Sequence, residues 1–263
     1  MDIFERLQNR SSVRSFDTTK QIPREHEQKI VGAAQRASTS FNLQTYCFIS
    51  VKDTENRKKL AELSGEQWFI CKASLFYVVC VDLYKMDFIA HKAGYKYHQK
   101  NLLEGFLMAS IDTAIAGQTA AIAAESLGYG ICMIGGIRNH VDQVCEVLQL
   151  PQLVVPLFGL CIGHPRKVNP PKPRLPISGI LLEDTYDKSC VENAIEEYDE
   201  QMAHSGLYNN REFPKKDIEE LREVAKDKYG WVEHCARRVA TQDPLKSRAQ
   251  LLQILQERGF PLG

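Results

Sequence analysis

Apolar positions along this chain switch between two periods, and the switches mark out its elements. Residues 2–9 place Ile3, Phe4 and Leu7 on one face and predict a short helix. Pro23 stands at the first turn of a second helix that carries Ile30, Val31, Ala33 and Ala34. Residues 47–51 predict a strand and 54–63 a charged helix. Residues 75–81 are a near-continuous β-branched and aromatic run, the pattern of a strand covered on both faces. Residues 84–99 are aromatic and cationic and hold neither period; His91 and His98 there read as lid or surface residues rather than metal ligands. Residues 102–127 form the longest helical segment. Its small residues, among them Ala109, Ala116, Gly117, Ala120 and Ala124, suit close helix packing in a core or a dimer. Gly128 and Gly130 end it, and a strand over 131–134 closes on Gly135 and Gly136. Asn139 is a candidate cap for a helix over 141–148, and Gly163 closes a strand over 153–162. Residues 169–176 hold four prolines and predict an extended loop. Helices over 190–204, 217–227 and 245–258 follow. Strands separated by long helices predict an α/β or α+β layer fold, here a core over 1–185 with a helical arm over 186–263.

Composition narrows the class. Among 263 residues, Lys+Arg 33 balances Asp+Glu 33, so no global field draws nucleic acid and any anion site is local. The longest apolar runs, 75–83 and 153–162, are too short to span a bilayer, and Met1-Asp2 opens without a signal peptide. A cytoplasmic protein with no membrane partner is expected. The eight cysteines show no C-x-x-C pair and no short Cys/His spacing, which predicts buried free thiols and no metal.

Candidate chemistry concentrates in two basic clusters. Arg10, Ser11, Ser12 and Arg14 follow the first helix, and Lys172 and Arg174 flank Pro173. Arg forks and Ser hydroxyls bind phosphate oxygens through charge-assisted bonds, and Pro173 stiffens the second pair. Between them lie the polar loop with Ser38, Thr39 and Ser40, the side chain of Gln67, and the turn Ile134-Gly135-Gly136. Gln67 carries both donor and acceptor, which suits the edge of an amide-like heterocycle. Bare backbone at the two glycines can lie close to a flat ring. Each feature alone also fits an ordinary cap, turn or solvated helix end; together they point to one phosphorylated cofactor. No Rossmann or P-loop glycine pattern occurs, and no nucleophile, general base or metal motif stands out. The chemistry is therefore expected to belong to the cofactor, with no catalytic side chain.

These stretches, in order over about 200 residues, resemble the nitroreductase-like FMN oxidoreductases. The matching runs are Arg10-Ser11-Ser12-Val13-Arg14-Ser15-Phe16, then 38–44, 64–67, 120–128, 134–139, 150–163, 172–176 and 198–201. The likeness is greatest to the NADPH-dependent, oxygen-insensitive major nitroreductase and flavin reductase branch. It implies an α+β fold, with an antiparallel-rich central sheet flanked by helices, in an intertwined homodimer whose C-terminal arms wrap the partner. By position it implies that Arg10 and Ser12, with Lys172 and Arg174, hold the FMN phosphate, that Ser11 also lies in the cofactor site, and that Arg14 faces the flavin N1/C2 edge. Ser38, Thr39 and Ser40 would reach FMN in the partner's site, Gln67 would read the pyrimidine edge, and Ile134, Gly135 and Gly136 would lie beside N5.

The implied activity is ping-pong hydride transfer from NADPH through FMN to nitroaromatics, quinones, flavins or azo compounds. A non-catalytic FMN carrier or redox-sensing module is the alternative. Two departures bear on this. The branch often has His-Arg-Ser where this chain has Arg10-Ser11-Ser12, so Arg10 must supply the cation. The branch also carries an Arg-Gly pair for the NADPH 2′-phosphate where this chain is shorter. Arg211, Arg138, Lys215 and Lys216 are the candidates for that role.

Overall fold

The computed structural model describes residues 2–98, 102–208, 229–241, 243 and 248–260. Two compact units result: Met1–Pro171 with Gln250–Gly263, and Lys172–Ala249. The division thus falls between 171 and 172 where the sequence placed it after 185, and the last helix returns to the first unit.

In the first unit four strands, β1 (Tyr46–Ser50), β2 (Leu75–Asp82), β3 (Gly130–Ile134) and β4 (Val154–Gly163), form one sheet in the order β1-β2-β4-β3. Every pairing is antiparallel. The unbroken apolar run of β2 follows from its central position with both faces covered. Phe76, Val78 and Cys80 enter one core cluster with residues of α3 (Thr54–Leu63) and α6 (Val141–Val147). Leu75, Tyr77 and Val79 enter the other, with residues of α2 (Arg24–Ala34) and α5 (Leu103–Ser126). The alternation is the two-residue period of a strand, applied to two cores at once.

One irregularity interrupts the sheet. Val79 pairs with Phe158 but Cys80 pairs with Pro156, which leaves Leu157 as the extra residue of a β-bulge. Pro156 has no N–H for a ladder bond, so a bulge is where a central strand tolerates it. Arg138 Nη1 donates to the Leu157 carbonyl.

By length and composition the 24-residue α5 is apolar enough to cross a bilayer, a possibility that the two apolar runs of the sequence did not reveal. Here it packs on the sheet with Ala109, Ala116, Gly117, Ala120, Ala121 and Ala124 buried. A Cβ on Gly117 would clash with the ring of Phe158, so that glycine sets how close helix and sheet approach. The opposite face of α5 carries Leu103, Leu107, Ile111 and Ile115, spaced by four and exposed.

Several boundaries differ from expectation. Pro23 is the N-cap of α2 rather than its first residue. His140, not Asn139, is the N-cap of α6 and makes no side-chain cap bond; the Asn139 carbonyl instead accepts from Gln250 Nε2 at 3.2 Å. The region without a period contains a helix, α4 (Tyr84–Lys92). The helix expected over 217–227 lies outside the described residues.

The second unit holds α7 (Lys188–Ser205) and α8 (Trp231–Val239). They meet around Tyr198, Met202, Tyr208 and Tyr229. The final helix α9 (Leu251–Glu257) packs Leu251 and Ile254 into the first unit's core. All eight cysteines are free, and Cys80, Cys132 and Cys161 are buried in strands as expected.

Candidate functional site

The first basic cluster lies along the edge strand of the sheet. Asp2 caps α1 (Ile3–Asn9), accepting the Glu5 N–H at 2.9 Å, and the helix stops at Arg10, whose backbone is extended. The chain then runs beside β3, with Val13 N–H bonded to the Ile131 carbonyl at 2.9 Å. Val13 is buried in a slot that only glycine at 130 leaves open: a Cβ there would sit 2.6 Å from Val13 Cγ2. Phe16 is buried over Gly163 in the same way. Two inward apolar residues thus anchor a segment whose polar residues include Arg10, Ser11, Ser12 and Arg14.

Those polar residues are differently engaged. Arg10 Nε pairs with a Glu125 oxygen at 3.3 Å, and Arg6 Nη1 donates to the Glu125 carbonyl at 2.8 Å. Burial pushes the Glu125 carboxyl up from its ordinary value, while Arg10 opposes the shift. Ser11 Oγ donates to the Asn169 carbonyl at 2.7 Å. Arg14 is exposed and pairs with no carboxylate among the described residues. Burial raises the Cys132 thiol, with Arg14 and then Arg10 pulling it down, which puts both guanidiniums near β3. A cleft of about 350 Å³ opens here, lined by Arg6, Arg10, Ser11, Val13, Glu125 and Tyr129 among others.

β3 ends at Ile134, buried, and the chain turns through Gly135–Arg138 as a short 3₁₀ helix. The structure brings Gly136 against Gln67. A Cβ on Gly136 would lie 2.6 Å from Gln67 Nε2 and would also clash with the Ser64 carbonyl. Gln67 Nε2 donates to that Ser64 carbonyl at 2.8 Å, so its amide oxygen is the group left to read a ligand. The buried Ser64 hydroxyl has no partner among the described residues. Gly65 and Glu66, with φ of 85° and 56°, make the tight turn that aims Gln67 at the glycines.

Arg138 does not fit the nucleotide-binding role expected of it. Its guanidinium turns inward to the Leu157 carbonyl, and burial lowers its pKa. It supports the bulge.

Ser38, Thr39 and Ser40 lie elsewhere. Their loop leads into β1, at the opposite edge of the sheet from β3, with β2 and β4 between. Three strand spacings amount to about 14 Å. Within one chain these residues are therefore separated from Arg10, Arg14, Gln67 and Gly136. The loop is held by Asp112 of α5, a residue that sequence reasoning missed. Thr39 Oγ1 donates to Asp112 Oδ2 at 2.7 Å, and Ser40 N and Oγ donate to Oδ1 at 3.0 Å each. An acid in the middle of an apolar, alanine-rich helix, away from its ends, was the signal available.

In the second unit, Lys172 and Arg174 are exposed on the extended loop. Arg174 Nη1 donates to the Lys172 and Pro173 carbonyls at 3.2 and 3.1 Å. Tyr198 OH donates to the Pro173 carbonyl at 2.9 Å, fixing the residue between the two cations. Arg211, Lys215 and Lys216 lie outside the described residues. Among the described residues no cluster of His, Cys, Asp or Glu could hold a metal.

These features fit a flat heterocycle bearing a phosphate. In the first unit Arg14 pairs with no carboxylate among the described residues, Gln67 offers an acceptor beside bare glycine backbone, and the Ser64 hydroxyl has no partner among the described residues.

The chain is similar to known proteins along most of its length. The family model described as "Nitroreductase family" matches residues 7–164, and "Nitroreductase family, C-terminal domain" matches 172–263. A Bacillus subtilis protein named FMN reductase (NADPH) is 45% identical over 186 residues, covering 70% of this chain and 74% of that protein. The structure of the NfrA1 nitroreductase from B. subtilis superposes with a TM-score of 0.85 at 34% identity, covering 99% of both chains. The NADPH:FMN oxidoreductase from Vibrio harveyi, solved with NAD+, gives a TM-score of 0.82 at 29% identity over 98% of both.

Proposed function

The chain belongs to the nitroreductase family, and from that premise we propose that it is an FMN-dependent NAD(P)H oxidoreductase. On this reading it is a soluble cytoplasmic homodimer that passes hydride from NADPH to nitroaromatics, quinones or flavins in a ping-pong cycle. The observation that carries the reading is the constellation on the β3 edge, where an unpaired Arg14, the Gln67 acceptor and the bare Gly136 backbone line one strand and its turn. The names of the relatives, FMN reductase (NADPH) and NADPH:FMN oxidoreductase, support the same cofactor pair.

When bound, FMN supplies the acceptance and delivery of hydride; the protein supplies position and charge. Arg10 and Ser12, with Lys172 and Arg174, would hold the phosphate. Glu125 takes the Nε side of Arg10 and so leaves the Nη groups to face that anion. Gln67, with its Nε2 held by the Ser64 carbonyl, would offer its amide oxygen to an N–H of the pyrimidine edge. Arg14 would stand as a fixed positive charge toward that edge, which needs no reorganisation to act. Arg211 is the proposed clamp for the NADPH 2′-phosphate.

Two observations support the dimer. Ser38, Thr39 and Ser40 stand across the sheet from the remaining site residues, which suits service in a second copy. The exposed stripe Leu103, Leu107, Ile111 and Ile115 on α5 is the apolar face such a copy would cover, with the 186–263 arm wrapping it. Eight free thiols suit a reducing compartment.

The test is anaerobic. Protein loaded with FMN should lose its flavin colour on addition of NADPH and regain it on addition of a quinone. A flavin that binds but is not bleached by either nicotinamide nucleotide identifies a carrier and rejects the enzyme. Light scattering at micromolar concentration checks the dimer, and a folded monomer with FMN bound rejects it.

A further inference from the structure

Asp112 is about 1% exposed in the middle of α5, and no cation is paired with it among the described residues. A buried carboxylate is costly unless its oxygens are bonded. Its donors all come from one loop, 67 to 73 residues earlier in the chain: Thr39 Oγ1 at 2.7 Å, Ser40 N and Oγ at 3.0 Å, and Thr45 Oγ1 at 3.4 Å. Aspartate is a poor helix former, so the residue does nothing for α5 itself.

The loop needs such a hold. Phe41, Asn42 and Gln44 have φ of 50°, 59° and 56°, the left-handed region, which Asn tolerates and which is unfavourable for Phe41 and Gln44. The 3₁₀ turn Ser40–Asn42 contains no buried residue, so apolar packing does not retain it. A second lock reinforces the first: Thr39 Oγ1 also accepts the Gln44 N–H at 2.9 Å. Lys85 Nζ donates to the Tyr46 carbonyl at 2.7 Å at the loop's far end. The consequence is directional. The Thr39 and Ser40 hydroxyl protons are committed to Asp112, while Ser38, Phe41 and Asn42 face outward, Phe41 being 91% exposed.

We propose that Asp112 is a positioning residue for the flavin site: it locks the strained 39–45 loop so that Ser38, Phe41 and Asn42 are presented to the site of a second copy. This rests on the FMN dimer reading. It also revises the roles of Thr39 and Ser40, which anchor the loop through their hydroxyls instead of spending those donors on the cofactor.

The test uses the full-length protein with Asp112→Asn, which keeps size but removes the charge and one acceptor oxygen. Amide exchange over 38–46 should rise about tenfold or more while β2 and β4 stay protected. FMN should bind about five- to twentyfold more weakly, and the bound flavin's visible spectrum should shift. Ser40→Ala, which leaves the core intact, should give the same direction of change. Combining it with Asp112→Asn should add little, because the two act through one bond network. Wild-type exchange over 38–46 in Asp112→Asn overturns the proposal, as does a fully additive double variant. Should Asp112→Asn not fold, wild-type exchange and affinity in Ser40→Ala overturn it equally. If the wild-type protein takes up no FMN, the flavin reading fails on its own, and faster exchange in Asp112→Asn then upholds only the loop lock.

Discussion

Gly136 and Gln67 come from segments 69 residues apart, yet they touch so closely that a single added methyl carbon at 136 would stand 2.6 Å from Gln67 Nε2. The same carbon would press on the Ser64 carbonyl, which is backbone and part of the turn that aims Gln67. The turn after β3 and the turn after α3 are thereby one object.

Gly136→Ala should therefore displace Gln67 rather than unfold the protein. Overpacking of this kind costs about 1–3 kcal/mol. The expected outcome is FMN binding weakened about tenfold, read by fluorescence quenching on titration of apoprotein, with a thermal midpoint only a few degrees lower. Wild-type affinity in this variant would show that the Gln67 carbonyl does not read the cofactor.

Arg174 sits on a loop and pairs with no carboxylate among the described residues, its Nη1 resting on two carbonyls. Arg174→Ala removes a charge-assisted contact to phosphate worth roughly 1.5–3 kcal/mol, so FMN should bind more than tenfold more weakly. Riboflavin, which lacks the phosphate, should bind wild type and variant alike. Equal loss for FMN and riboflavin would remove Arg174 from the phosphate site.

Arg138 and Arg211 are expected to separate cleanly. Arg138→Ala strands the Leu157 carbonyl at the bulge, a loss of about 1–3 kcal/mol in stability by chemical denaturation. The ratio of KM for NADPH to KM for NADH should not move. Arg211→Ala should do the reverse, raising KM for NADPH about five- to thirtyfold with NADH little affected and with the effect shrinking at high salt. A changed nucleotide ratio in Arg138→Ala would return Arg138 to the nucleotide site.

Burial pushes the Cys145 thiol up to about 11, with Arg258 opposing and Asp142 and Glu146 adding to the rise. Burial likewise raises Cys161 well above its ordinary value. For a raised pKa, the folded state keeps its proton where the unfolded chain has lost it. The stability tied to Cys145 is therefore fully present below pH 9 and is lost as pH rises through about 11, a change of roughly 3 kcal/mol. Alkaline denaturation of Cys145→Ser should be shallower over that window. In the native protein near neutral pH, thiol reagents should spare the buried Cys145 and Cys161 and react with the half-buried Cys47, Cys71, Cys190 and Cys235 before them. An identical alkaline slope for the variant would discard this account.

Much of this protein was determined by local chain chemistry. The run over 75–81 is apolar at every position because β2 is covered on both faces, and a period of two or 3.6 needs only neighbours in sequence to be seen. The same holds for α5, for the Gly135-Gly136 turn and for the proline-stiffened loop that carries Lys172 and Arg174. The motif runs that matched a family were legible for a related reason: phosphate and flavin edges demand particular side chains at particular spacings, and those demands are written along the chain. Direction and partnership were decided only in three dimensions. Arg138 is adjacent to the glycine turn in sequence, yet a bulge 19 residues later captures its guanidinium. Ser38, Thr39 and Ser40 look like ligand residues, but the order β1-β2-β4-β3 sets them on the far edge of the sheet, and Asp112 takes two of their hydroxyls. No local pattern encodes such a pairing, because a buried carboxylate is satisfied by whichever donors the folded sheet and helices bring to it, however distant they are in sequence.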